Sequence, residues 1–155
     1  MHRSSPPGLC RAILPGMRSV IVHSLPQALA AVTVAAELGR PILLWSPPWG
    51  AQSLGIGYFL AMVAAARRAV PAAEADGVID CGDAPGLALA AMRAGARAVR
   101  VTAPADALAG LADIAEQAGV SLMAEFPADG LNLGTVAASH HDVVRAFLVA
   151  QTSDM

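Results

Sequence analysis

Five short apolar runs begin near residues 19, 41, 77, 97 and 120, and a stretch with helical spacing separates each from the next. The runs are 22, 36, 20 and 23 residues apart, so strand-plus-helix units recur at nearly one length and only the second is expanded. Parallel strands need a crossover of a dozen or more residues, and a helix supplies it. Five such units make either a doubly wound open sheet or part of a β/α barrel, and five strands cannot close an eight-stranded barrel in one chain. The spacing therefore predicts an α/β fold. It is expected as a three-layer open parallel sheet of five strands, helices on both faces, flavodoxin-like, with Leu131 to Leu133 a loop or a short sixth strand. Residues 17–155 are expected to form one domain and residues 1–16 a disordered extension, with Met17 a candidate start.

The local pattern fills in the elements. Ser19 to His23 reads as the first strand. Ser24 and Gln27 fit a capping box for the following helix, which Gly39 closes. Pro41 to Trp45 is too continuously apolar for an exposed sheet and reads as a buried parallel strand. The expansion follows, Ser46 to Gly57, where Pro47, Pro48, Gly50, Gly55 and Gly57 argue against regular structure. Helices are expected from Tyr58 to about Val70, Leu87 to Arg93, Asp106 to Gln117, and after Ser139 to about Ala150. The remaining strands are the run at Val78 and Ile79, then Ala98 to Val101 and Val120 to Glu125.

Composition narrows the function. The chain is 55% hydrophobic and 14% charged, against roughly 25% charged in an average soluble domain. Alanine fills 35 positions. So apolar a surface points to a homo-oligomer. Ten basic against twelve acidic side chains exclude a general nucleic-acid binder. No apolar run approaches the roughly 18 residues of a membrane span, and the N-terminus lacks the apolar core of a signal peptide, so a cytoplasmic protein is expected. All ten basic residues are arginine. Without lysine there is no Schiff-base, Walker-type or pyridoxal phosphate chemistry, because arginine cannot supply a neutral amine.

Ligands of parallel α/β sheets bind outside the carboxyl ends of the strands. Those ends carry His23, Ser46, Asp80 with Asp83, Thr102 and Glu125. His23, Asp80 and Glu125 are the candidate acid/base residues. Ser46, Asp83, Arg100 and Thr102, with the backbone of Gly55 and Gly57 at a helix start, are the candidate ligand contacts. Asp83 also reads as the cap of the next helix. Arg100, inside a strand, would be costly alone; it pairs with Asp80, faces an oligomer interface or meets an anionic ligand. Cys81 beside two acids should have a raised pKa, and Cys10 and Cys81 do not suit a disulfide. His140 and His141 point about 100° apart on a helix and make poor co-ligands, so no metal is expected; which cofactor, if any, is left open.

Asp80 followed by Pro85 and Gly86, and the strand end Val101-Thr102-Ala103, resemble the receiver domain of bacterial response regulators. In that family the third strand ends in the phospho-accepting Asp and the fourth in Thr-Ala. The chain departs from it at Glu125, where the family has Lys, and at His23-Ser24, where it has acids for magnesium. The resemblance thus implies a degenerate, non-phosphorylated relative. The repeated endings Ala94-Gly95-Ala96 and Ala118-Gly119-Val120 resemble β/α-barrel aldolases, without that family's catalytic lysine. The leading expectation is a small protein binding an anionic small molecule at the strand C-terminal ends. A lyase or isomerase using His23, Asp80 or Glu125, and a structural or interaction subunit, are the alternatives.

Overall fold

A computed structural model describes residues 17–150; the proposed extension with Cys10, and residues 151–155, lie outside the described residues. The elements are β1 (Arg18–Ile21), α1 (Leu25–Leu38), β2 (Ile42–Trp45), α2 (Ile56–Ala69), β3 (Ala75–Asp80), α3 (Pro85–Arg93), β4 (Ala98–Arg100), α4 (Ala105–Ala118), β5 (Ser121–Met123), β6 (Leu131–Asn132) and α5 (His140–Ala150). A π-helical turn, Ala51–Gly55, precedes α2, and a 3-10 turn, Leu133–Thr135, follows β6. The expected α/β class, the open parallel sheet and the short sixth strand are all present. Gly39 (φ 63°) and Gly119 (φ 71°) end α1 and α4 in the left-handed conformation that glycine adopts freely.

The sheet order is β5-β4-β3-β2-β1-β6, with every neighbouring pair parallel. From β1 to β5 each strand lies beside its predecessor, and β6 returns to the other side of β1. When each strand lies next to its predecessor and every crossover has the same hand, each helix returns to the same side. Accordingly, buried side chains of all five helices join one large core cluster, with Val20, Ile42, Leu44, Ile79 and Val99 from the sheet. Gly77 lies on that side. A Cβ there would stand 2.9 Å from Val63 Cγ2, so its absence lets α2 lie close on β3.

The other face carries a third, thin layer instead of helices. Ile21, Leu43, Trp45, Val78 and Ala98 form a second cluster, covered by Met17, Met123 and Phe126. Phe126 belongs to the connection from β5 to β6, which joins opposite edges of the sheet in seven residues, 124–130. Six strands laid flat are roughly 24 Å wide, so a strap of this length has little slack. It crosses the face directly: the Phe126 ring stands edge-on to Trp45 with centroids 5.1 Å apart. α5 then packs beside α1 on the helical face. There the Arg18 guanidinium lies 3.7 Å from the centre of the Phe147 ring, and Arg40 Nη1 donates to the Leu148 carbonyl at 2.6 Å.

Candidate functional site at the strand C-terminal ends

Asp80 ends β3 with 1% of its surface exposed. A carboxylate so buried needs a partner for each oxygen. Oδ1 accepts from Arg100 Nη1 at 3.0 Å and from the Gly82 amide at 3.2 Å; Oδ2 accepts from the Trp49 amide at 2.8 Å. The Asp80 amide in turn donates to Ser46 Oγ at 2.9 Å, and that hydroxyl donates to the Pro47 carbonyl. Arg100, registered opposite Asp80 in the sheet, spends its Nε on the Ala124 carbonyl at 3.1 Å. The pairing of Asp80 with Arg100 is the ion pair that the strand spacing suggested. It ties the ends of β2, β3, β4 and β5 together.

This clasp holds an unusual neighbour. Trp49 is the one non-glycine residue with positive φ among the described residues, at 60°, a conformation that bulky residues rarely adopt. The Asp80 carboxylate binds its amide, and its indole lies against Gly82. A Cβ on Gly82, itself at φ 57°, would come 2.4 Å from Trp49 Cε3. Trp49 nevertheless remains 41% exposed.

His23, just past β1, has its own support. Its Nε2 lies 2.8 Å from Asn132 Oδ1, which also accepts from the Gly134 amide at 3.0 Å. A backbone N–H can only donate, so that oxygen is an acceptor and His23 Nε2 is the protonated nitrogen. Nδ1 is left to accept. The His23 amide donates to Gln27 Oε1 at 2.7 Å, so Gln27 reaches past Ser24; the capping box is not formed, and Ser24 makes no side-chain cap bond.

The structure separates the three acid/base candidates. His23 lies just past β1, Asp80 two strands away on β3, and Glu125 is exposed on the strap beyond β5. Asp80 has both oxygens engaged. Of the ligand candidates, Ser46 is fully buried with its hydroxyl committed, Thr102 is exposed and donates to the Gly82 carbonyl at 3.2 Å, and Asp83 is exposed. Asp83 does not cap α3. Pro85 starts that helix, which places Ala84 at the cap position. The irregular loop expected up to Gly57 is in part the π-helical turn, which Gly55 ends at φ 91°. Gly57 sits exposed in the first turn of α2. Cys81 is buried, its thiol pushed up to about 12 by burial and by the Asp80 charge, as its acidic neighbours implied.

Four helices, α1 to α4, start at this end of the sheet, and none has a side-chain cap bond. The first turns of α1, α2 and α3 hold no acidic residue; α4 has Asp106, bonded to the Ala107 amide. Uncapped helix starts leave amide donors and the positive end of the helix dipole facing outward. Among the described residues no group of three metal-ligating side chains forms, and no helix is long and apolar enough to cross a membrane.

No family model matches the chain, and no curated protein matches it in sequence. Its fold resembles that of a chain from Coccidioides immitis provisionally named a fructose-1,6-biphosphate aldolase, with a TM-score of 0.56 and 18% identity. The match covers 68% of this chain and 44% of the other, so this chain spans less than half of its neighbour's length. The likeness is one of fold. It agrees in outline with the resemblance to β/α aldolases, while nothing supports the receiver-like reading.

Proposed function

We propose that this protein binds an anionic small molecule, bearing phosphate or carboxylate, at the C-terminal ends of the strands. The observation that carries this reading is the gathering of four helix starts without side-chain caps at one end of the sheet, three of them without a first-turn acid. Each is an anion-seeking terminus. Thr102 and the backbone of Gly55 and Gly57 complete the polar surface, and Arg100 supports it from beneath with 19% of its side chain exposed. Asp80 and Ser46 hold the scaffold, and the exposed Asp83 limits where the anion can sit. The protein acts as a homo-oligomer in this proposal, which light scattering at micromolar concentration tests.

A thermal-shift screen against phosphorylated and carboxylated metabolites, with and without magnesium, tests the binding. A ligand at a hundred times its dissociation constant adds about 2.7 kcal/mol, worth several degrees of melting temperature at this size. Gly57→Val should then weaken the hit; unchanged affinity would remove the α2 start from the site.

The His23–Asn132 pair favours a second reading, a lyase or isomerase. A histidine with its tautomer fixed and Nδ1 open is built as a proton acceptor, and the structural neighbour carries an aldolase's name. Turnover of a sugar phosphate or keto acid, abolished by His23→Gln, supports it. No turnover across such a panel counts against it.

A further inference from the structure

The opposite end of the sheet carries a second concentration of charge. Asp76, the second residue of β3, is 8% exposed. Its Oδ1 accepts from two guanidiniums: Arg67 Nη1, in the last turn of α2, at 3.3 Å, and Arg97 Nη1, just before β4, at 3.2 Å. Both arginines keep over a third of their side chains in solvent. They border two adjoining grooves. One, of about 250 Å³, runs over Leu60, Val63 and Gly77; the other, of about 590 Å³, opens past Pro71 and takes in Arg68.

Three arginines and one carboxylate line these two grooves. Cations in the last turn of a helix complement its dipole, which accounts for Arg67 and Arg68. It does not account for Arg97, which comes from another element and aims at the same oxygen. Two guanidiniums on one oxygen leave Asp76 outnumbered, and both arginines line the groove. A guanidinium has five donors, and Asp76 uses few of them. We propose that this groove binds the phosphate group of a small molecule, as a monoester or diphosphate. A carboxylate would balance half of the surplus of two positive charges, whereas a phosphate group carries close to two negative charges and matches the arginine fork. The site is separate from the one at the strand C-terminal ends and does not depend on it.

The test is a calorimetric titration with inorganic pyrophosphate at low salt, repeated on Arg97→Gln, Arg68→Gln and Arg145→Gln. Arg97→Gln should weaken binding at least tenfold. Arg68→Gln, which leaves Asp76 untouched, should weaken it about three- to tenfold with unchanged melting. Arg145→Gln removes the same charge from α5, where it pairs with Glu37 outside the groove lining, and should bind as the wild type does. The proposal is overturned if the wild type does not bind at millimolar concentration, if Arg68→Gln and Arg97→Gln bind normally, or if Arg145→Gln weakens binding equally. Amide-resolved NMR separates the two ends of the sheet. Shifts at residues 64–73 and 94–98 support the groove, while shifts confined to residues 55–57 and 84–87 overturn it and leave the other site standing.

Discussion

Asp76 and Asp80 stand at the two ends of β3, both buried and both paired with arginine, yet they are built for different tasks. Asp80 faces one cation, and its remaining bonds come from the amides of Gly82 and Trp49. That carboxylate is closed off and balanced. Asp76 faces two cations, each more than a third in solvent, and leaves positive charge in excess at a groove. A buried carboxylate therefore indicates neither a site nor a strut until its partners are counted. At Asp80 the count gives a strut that braces the strand ends; at Asp76 it gives an organiser of two arginines.

The two aspartates should separate most sharply in stability. Asp80→Ala strands the Arg100 charge and two amides, and should cost about 3–5 kcal/mol, the range for breaking a buried pair. Urea unfolding measures it; a loss below 1 kcal/mol would break the contrast. Gly82→Ala comes next, since the left-handed backbone and the Trp49 ring both oppose a Cβ there, at about 1–3 kcal/mol. Asp76→Asn should cost only about 1 kcal/mol, because solvent screens both arginines, while tightening pyrophosphate binding. A last effect appears only at alkaline pH. The Cys81 thiol is raised in the folded state to about 12 from its ordinary 9.0. The unfolded chain thus loses this proton first, and the contribution of Cys81 is full below pH 9 and declines as pH rises towards 12. Iodoacetamide at pH 8 should leave Cys81 unmodified until the protein unfolds, as peptide mapping would show.

Much of the fold could be read from the chain because its cues are local. Gly39 and Gly119 mark helix ends through the left-handed backbone they adopt, and the apolar run before Ser46 announces a strand buried on both faces. The Asp80–Arg100 pair could be anticipated because two strand ends of one crossover unit meet in register. The winding could not. Whether helices cover one face or two depends on strand order, and no local pattern encodes that Leu131 and Asn132 lie beside Val20 and Ile21. Asn132 was therefore missed as the partner of His23, although a polar residue between Leu131 and Leu133 was its signal. Trp49 was missed because its role rests on a carboxylate 31 residues away. Arg67 and Arg97 come from separate units and meet only through Asp76.

The central claim is that the uncapped helix starts form an anion site. An amide-resolved titration with the strongest hit of the thermal-shift screen tests it most directly. Saturable shifts are expected at Gly55 to Gly57, Gly86 and Asp106, all with one dissociation constant. Shifts elsewhere, with those amides unmoved at saturation, would contradict it.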